Sequence, residues 1–312
     1  MPSPRRPVLA LILAAASWGF GTVISKRAVD EIPALTLLVI QLSASLVAIA
    51  LFMRLRRLPL WSGASPHLRR LGLLNPGLAY ALSLLGLVQI TASLSVLLWA
   101  AEPLLILLLA SLFLRERLGP TVVVLFLVAA TGMTLVLYGP GTGGELLGVA
   151  LTLAGVACCA VYTVASRRWL AESDATAPVV AGQQAYALAL ALVLVSGAWL
   201  LGGGGAIRPN ALTAAGLASA VSSGVLYYGV AYGFYLTALR QMPASSASAS
   251  FYLIPVFGVA GGVLALGERL SPAQWVGGAI VLVAVATILR ASPAEVWTTD
   301  RDGAARGGLV GE

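Results

Sequence analysis

The chain has 312 residues, of which 59% are apolar and 10% charged, and its mean hydropathy is +0.93. Soluble domains carry roughly 45–50% apolar and about 25% charged residues, so a water-soluble globule is excluded. The net charge of +7 could indicate nucleic-acid binding, but the basic residues lie between long apolar runs. The adjacent pair Cys158-Cys159 and the lone His67 leave no disulfide framework, no metal site and little scope for Ser-His chemistry.

Apolar runs of about 20 residues predict an all-α integral membrane protein with ten transmembrane helices. In chain order the predicted helices cover residues 7–25, 33–53, 71–88, 92–114, 120–138, 145–166, 176–200, 211–236, 244–266 and 272–290. Pro33, Pro120 and Pro272 stand near predicted helix starts, where a missing N–H costs nothing. Connections are short throughout, and residues 291–312 are predicted to form a disordered cytoplasmic tail.

The basic residues fall mostly on one side of the predicted membrane. If the N-terminus is cytoplasmic, fifteen of the 19 face the cytoplasm and four, Lys26, Arg27, Arg208 and Arg269, face the other side. Cytoplasmic loops carry the excess of Lys and Arg, so both termini are predicted to be cytoplasmic. The charge therefore indicates topology, and nucleic acid is not an expected partner.

The chain also contains an internal repeat. A shift of 152 residues aligns 74–120 with 226–272 without a gap, with sixteen identities in 47 positions. The identities include Gly77 with Gly229, Tyr80 with Tyr232, Pro103 with Pro255, and Glu116-Arg117-Leu118 with Glu268-Arg269-Leu270. Each copy has five predicted helices, an odd number, so the second copy is inverted in the membrane. We predict repeats over 1–144 and 145–290, an arrangement typical of carriers, although a duplicated structural scaffold is an alternative.

Pro103 and Pro255 occupy equivalent midpoints of the fourth and ninth predicted helices. Each proline removes one backbone hydrogen bond, so we expect two kinks that free the carbonyls of Trp99 and Phe251 near mid-membrane. Interrupted helices at matching positions of two halves are the best sequence indication of a carrier site. The alternative is that these kinks only shape helix packing.

Glu102 directly precedes Pro103 and is the only one of twelve acidic residues that lies deep inside a predicted helix. An ionised carboxylate there is costly unless it faces a cavity or a partner, so a functional site is the first prediction. Glu102 is the candidate for proton coupling, or it receives the amine of a cationic or zwitterionic ligand. Alternatively, it is a protonated acid held by a hydroxyl or carbonyl as a structural group.

Aromatic and small polar residues complete the predicted substrate-binding site. Trp99 and Ser95 lie three and seven residues before Glu102, on one helix face. The other candidates are Trp18, Tyr80, Tyr162, Tyr232 and Phe251. Aromatic walls with a few polar groups are typical of small-molecule pockets, and core packing is the alternative for each ring. Further polar candidates, which interhelical hydrogen bonds explain equally well, are Gln41, Asn75, Gln183 and Gln184.

Three segments carry a resemblance to a known family, namely Ser17-Trp18-Gly19, residues 114–118 and residues 266–270. Through them the chain resembles the drug/metabolite transporter (DMT) superfamily, specifically its EamA-type ten-span branch, over about residues 8–290. The first copy departs from the family pattern at Arg115, where Gly is usual. The resemblance implies ten helices around a central cavity and, commonly, export of amino acids or other small metabolites.

These observations together predict a secondary transporter of the bacterial inner membrane that exports small amphipathic metabolites by alternating access. No cofactor is predicted, and the expected partners are a small-molecule substrate and the lipid bilayer, with the protein a monomer or homodimer. A non-transporting membrane scaffold or sensor is the alternative. An enzyme is not predicted, because the sequence shows neither a nucleophile paired with a base nor a metal cluster.

Overall fold

The computed structural model describes residues 5–58, 65–114, 117–137, 143–170, 176–202, 212–239, 253–290 and 297–298. The helices of the first half are α1 (Arg5–Val29), α2 (Ala34–Leu55), α3 (Pro66–Arg70), α4 (Ala79–Leu87), α5 (Ala92–Trp99), α6 (Glu102–Leu114) and α7 (Pro120–Leu137). Those of the second half are α8 (Gly143–Leu170), α9 (Thr176–Leu200), α10 (Ala214–Gly224), α11 (Ala231–Leu239), α12 (Leu253–Leu266) and α13 (Pro272–Arg290).

Two residues of the predicted tail form a short strand that pairs with a strand between α6 and α7. Strand β1 (Arg117–Leu118) pairs with β2 (Trp297–Thr298), so that Arg117 lies opposite Thr298 and Leu118 opposite Trp297. The remaining residues of 291–312 lie outside the described part of the chain. The tail thus contributes at least one contact to the connection between α6 and α7.

Five described helical stretches are long and apolar enough to cross a membrane. They are Pro7–Val29, Ala34–Leu55, Glu145–Ser166, Ala177–Leu200 and Ala214–Tyr235. Four shorter apolar stretches accompany them, at Ala92–Ile106, Pro120–Val136, Leu253–Leu266 and Pro272–Ile288. Large apolar side chains such as Leu264, which is 85% exposed, cover outer helix faces, as expected for a bundle surrounded by lipid. The chain is therefore a multi-pass membrane protein.

The predicted helix over 71–88 is not continuous. A 3₁₀ turn (Leu71–Leu73) and a π turn (Leu74–Leu78) precede α4, and Asn75 has extended angles of φ −139° and ψ 119°. The Asn75-Pro76 peptide bond is cis, and the extended backbone of Asn75 interrupts the helix at this point. A second π segment (Val225–Val230) separates α10 from α11. The 152-residue shift superposes the two π segments, so both halves depart from regular α-helix at equivalent positions, although Ala214–Tyr235 remains one helical stretch in the second half.

The predicted fourth helix is divided between α5 and α6. The Ala100 N–H bonds the Leu97 carbonyl at 3.2 Å and the Ala101 N–H bonds the Leu98 carbonyl at 3.0 Å, so the chain tightens before Pro103. Helix α12 begins at Leu253, with Pro255 buried in its first turn. Residues 240–252, with Phe251, lie outside the described part of the chain.

Glycines let the central helices approach closely. A Cβ atom at Gly19 of α1 would lie 2.7 Å from the Gly258 backbone nitrogen of α12. On the neighbouring side of α12, a Cβ atom at Gly258 would lie 2.7 Å from a Val96 methyl group of α5. Helix α12 is thus packed between α1 and α5. Helix α8 packs against α4 and α6, α2 against α9, and α7 against α13.

Candidate functional site

The Glu102 side chain faces the interior of the bundle. Its Oε1 accepts a hydrogen bond from the Cys159 thiol of α8 at 3.1 Å. Cys159 is buried and its sulfur accepts a bond from the Asn75 side-chain amide at 3.3 Å. Glu102 as a residue is half-buried. The first residue of α6 is therefore bonded to the middle of α8, which is bonded in turn to the π turn before α4.

Asn75 presents an unused acceptor in the same place. Among the described residues its Oδ1 is buried and accepts no hydrogen bond, while its Nδ2 is occupied by Cys159. A buried oxygen without a donor is costly. A ligand N–H or a water molecule at this position would satisfy it.

One group of rings links α4 and α5 to the second π segment. Tyr80 stacks on Trp99 with ring centroids 5.4 Å apart and an interplanar angle of 17°. The same ring meets Tyr227 at 5.3 Å and Tyr228 at 5.1 Å, both edge-on. Such edge-to-face pairs stabilise beyond the area that they bury. Tyr80 is thus held between the two halves of the chain.

A second group of rings lies on α1 and α11. Trp18 meets Tyr232 at 5.4 Å and Tyr235 at 5.7 Å, in edge-on arrangements. Tyr227 packs against this group as well as against Tyr80. The rings therefore form a continuous aromatic wall from α1 to α5, with Tyr227 as the connection.

The remaining predicted site residues have separate roles or positions. The Tyr162 hydroxyl donates to Gln183 Oε1 at 3.1 Å, and Gln183 Nε2 donates to the Leu68 carbonyl at 3.0 Å. Ser95 is buried on α5, and no hydrogen bond joins it to Glu102 in the described part of the chain. Phe251 lies outside the described residues.

Two of the polar candidates serve as interhelical hydrogen-bonding groups. Gln41 Nε2 donates to Ser25 Oγ and to Ser223 Oγ, each at 2.8 Å, which joins α1, α2 and α10. Gln184 Nε2 donates to the Tyr228 carbonyl at 3.0 Å. The second bond fixes the π segment that carries the tyrosines of the aromatic wall.

Sequence reasoning missed Cys159, Tyr227 and Tyr228. Cys159 is 57 residues from Glu102, and no spacing rule connects residues on two different helices. Tyr227 aligns with Asn75 under the 152-residue shift. Asn75 was already a candidate site residue, so the repeat could have identified Tyr227 as its equivalent in the second half.

The end of the bundle farthest from the predicted cytoplasm is tied together by charged side chains. Glu268, just after α12, accepts hydrogen bonds from the backbone N–H groups of Ala92 at 2.6 Å and Ser93 at 2.8 Å, and from the Ser93 hydroxyl at 2.5 Å. A carboxylate is favourable at the positive N-terminus of α5. Lys26, near the end of α1, donates to the Leu87 carbonyl at 2.8 Å. Helices α1, α4, α5 and α12 thus meet at this end.

The site offers one carboxylate, a thiol, an amide oxygen and several aromatic faces. Carboxylates and aromatic faces both attract cations, and the rings provide apolar contact area for the rest of a small molecule. Within the described ranges no group of three or more His, Cys, Asp or Glu side chains is placed to hold a metal ion. The arrangement therefore suits a small organic ligand with an amine or an exchangeable proton.

The chain is thus a multi-pass membrane protein whose helices enclose polar and aromatic side chains, among them one carboxylate. A sequence model of the EamA-like transporter family matches residues 5–138 and again residues 146–290. The chain belongs to the EamA-like transporter family, which is part of the DMT superfamily. The resemblance found in the sequence is thereby confirmed, and the protein is a membrane transporter by family.

Similar proteins cover nearly the whole chain. An uncharacterized protein of Pseudomonas aeruginosa is 32% identical over 295 residues, which are 91% of this chain and 95% of that protein. A protein of Archaeoglobus fulgidus described as an uncharacterized transporter is 22% identical over 291 residues, 90% of this chain and 98% of its own length. A crystal structure of a protein with 18% identity matches with a TM-score of 0.61 and covers 91% of this chain and 96% of that one. The last match shows a shared fold.

Proposed function

We propose that the protein is a secondary transporter that exports small amphipathic metabolites, such as amino acids or related compounds, from the bacterial cytoplasm. The observation that carries the proposal is the environment of Glu102. Its carboxylate accepts a hydrogen bond from the Cys159 thiol, and the Cys159 sulfur accepts one from Asn75, whose buried side-chain oxygen has no donor among the described residues. A membrane-embedded acid with these properties is a typical site for a substrate amine or a transported proton.

The proposed architecture is ten transmembrane helices in two inverted five-helix repeats. The equivalent π segments, the two family matches and the repeated sequence support it. Inverted repeats give two similar half-structures whose exchange of conformation opens a central site to either side in turn. The fifteen-to-four distribution of basic residues supports an inner-membrane protein with both termini in the cytoplasm.

The proposed mechanism uses Glu102 as an exchange site. Ionised Glu102 binds the amine of the substrate while the bundle is open to the cytoplasm. Protonation of Glu102 from the other side then removes the charge that holds the amine, and the substrate leaves. The Glu268 bonds to Ala92 and Ser93 join α12 to α5 at the proposed non-cytoplasmic end, and in the proposed mechanism they break when the substrate is released there.

Counterflow in proteoliposomes tests this proposal. Purified protein is reconstituted, loaded with pooled unlabelled amino acids and metabolites, and supplied with the labelled pool at two pH values. Glu102→Gln is expected to reduce flux at least about tenfold and to flatten its pH dependence, because the neutral amide neither titrates nor binds an amine by charge. Glu145→Gln is the matched control, since Glu145 is exposed in the first turn of α8.

Two outcomes contradict the proposal. Unchanged flux and unchanged pH dependence in Glu102→Gln would remove this residue from the site. Absence of flux for every pooled solute, from wild-type protein that is folded and correctly inserted, would favour a non-transporting scaffold or sensor.

A further inference from the structure

An apolar cavity of about 430 Å³ lies between α2, α9, the second π segment and α11, beside the site described above, with which it shares Tyr232. Its walls include Phe52 of α2, Ala177 of α9, and Tyr232 and Gly233 of α11. The cavity is partly open to its surroundings. A Cβ atom at Gly233 would have no described atom within 4 Å, so the wall leaves space at this position.

The surroundings of this opening are hydrocarbon rather than water. The α2 wall lies inside Ala34–Leu55, one of the stretches long and apolar enough to cross a membrane, and the α9 wall lies inside another, Ala177–Leu200. Apolar residues also dominate the exposed surface beside it, with Val47 68% exposed and Leu51 56% exposed. We therefore expect the opening to face lipid chains.

One end of the cavity carries positive charge. Phe52 forms part of the wall, and the Arg56 guanidinium lies over its ring, 5.8 Å from the centroid. Arg54 and Arg57 are exposed on the same final turns of α2. Guanidinium groups bind phosphate through paired hydrogen bonds, and basic residues at a membrane surface attract anionic lipids.

We propose that the cavity binds an acyl chain of an anionic phospholipid, with the phosphate of the headgroup held by Arg56. The apolar wall accommodates the chain, and the charge at the mouth selects the headgroup. Tyr232 forms part of the wall and also packs against Trp18, so the lipid and the aromatic wall share one side chain. This inference goes beyond the proposed function and does not depend on transport.

Native mass spectrometry of the purified full chain tests the proposal. Delipidated protein is mixed with phosphatidylglycerol or with phosphatidylcholine of the same acyl chains, and retained lipid is counted. Wild-type protein is expected to retain phosphatidylglycerol in preference to phosphatidylcholine. Arg56→Gln should lower phosphatidylglycerol retention about fivefold, the effect of one basic residue at a membrane surface, and Gly233→Trp should lower retention of both lipids by filling the cavity.

Matched substitutions separate this site from general lipid contact. Arg54→Gln removes a charge from the same turns, away from Phe52, and Gly197→Trp adds an indole on α9 where no described atom lies within 4 Å of the new Cβ. Gly197→Trp should leave retention unchanged, and Arg54→Gln should lower phosphatidylglycerol retention less than Arg56→Gln does, because Arg54 contributes surface charge without lying over the Phe52 ring. Equal retention of the two lipids by wild type, or equal effects of Arg56→Gln and Arg54→Gln, would overturn the proposal even if Gly233→Trp fails to fold. Loss of counterflow in Gly233→Trp with unchanged lipid retention would assign the cavity to a transported solute and also overturn it.

Discussion

Glu102 owes its arrangement to two residues that are remote in the chain. Cys159 donates to it from α8, and Asn75 donates to Cys159 from the π turn before α4. A thiol is a weak donor and its sulfur is a weak acceptor. Cys159 can therefore accept a hydrogen bond from Asn75 while it donates one to Glu102, and this fixes the position of the carboxylate. Cys159 is therefore a positioning residue for Glu102 in the proposed mechanism.

Replacement of Cys159 tests this role. Cys159→Ser keeps both a donor and an acceptor, whereas Cys159→Ala removes them and leaves Glu102 without this partner. We expect the alanine variant to lose about 1 kcal/mol of stability and to show an altered pH profile of counterflow, with the serine variant close to wild type. Cys158→Ala, which removes the neighbouring thiol, is the control in thermal unfolding and flux assays. Equal behaviour of the alanine and serine variants would contradict a positioning role.

Glu31, in the connection between α1 and α2, gives a pH-dependent contribution to stability. Two hydrogen bonds from Thr213 hold the pKa of Glu31 below its usual value of 4.5. The bond from the backbone N–H has the larger effect, and the bond from the hydroxyl has the smaller one. A carboxyl group whose pKa is lower in the folded than in the unfolded protein stabilises the folded state at pH values above the unfolded-state pKa. This stabilisation is lost as the pH falls through the folded-state pKa. Glu31→Gln should therefore lower the unfolding temperature at pH 7 and have little effect well below pH 4.5.

Thermal unfolding of the purified protein in detergent at the two pH values measures this difference. Thr213 also caps α10, because its hydroxyl accepts the Gly216 N–H at 3.0 Å. Thr213→Ala is consequently expected to destabilise at both pH values, which separates the cap from the carboxylate. A Glu31→Gln deficit that persists unchanged at low pH would refute the assignment.

At the scale of helices, two glycines make equivalent close approaches in the two halves. Gly72 lies against the Gln183 backbone of α9, and Gly224 lies against the Gln41 backbone of α2. The 152-residue shift places Gly72 on Gly224. In each half the helix that contains the π segment thus crosses its neighbour at a glycine, just before that segment.

Gly224→Ala should destabilise the protein by about 1–3 kcal/mol, because its Cβ would lie 2.5 Å from the Gln41 Cα and carbonyl oxygen and force α2 and α10 apart. Gly197→Ala is the control, since its Cβ has no described atom within 4 Å and alanine favours a helix. Unfolding midpoints in detergent compare the two variants. Equal midpoints for Gly224→Ala and wild type would show that α2 and α10 can separate without cost.

At the scale of the whole molecule, the proposed inverted topology puts the two ends of α2 on opposite sides of the membrane. Asp30 precedes α2, and Arg57 follows it at the end where basic residues collect. An excess of basic residues marks the cytoplasmic side. The topology therefore predicts that position 30 is outside the cell and position 57 inside.

Cysteine labelling in cells tests this topology. In a background where Cys158 and Cys159 are serine, an impermeant maleimide is expected to label Asp30→Cys in intact cells and Arg57→Cys only after the membrane is permeabilised. The two variants serve as controls for each other. Labelling in the opposite pattern would reverse the orientation and with it the proposed direction of export.

The sequence by itself determined the membrane class, the family and the internal repeat, and it predicted a site at the segment around Glu102 and Pro103. These conclusions follow from local properties, since hydropathy, proline chemistry and residue spacing act within a few turns of one helix. Only the tertiary structure decided that Cys159 contacts both Glu102 and Asn75, that Tyr227 joins the aromatic groups, and that Gln41 and Gln184 bond between helices. Such contacts depend on how helices rotate and cross, which is set by close packing at residues such as Gly72 and Gly224 and leaves no periodic trace in the chain.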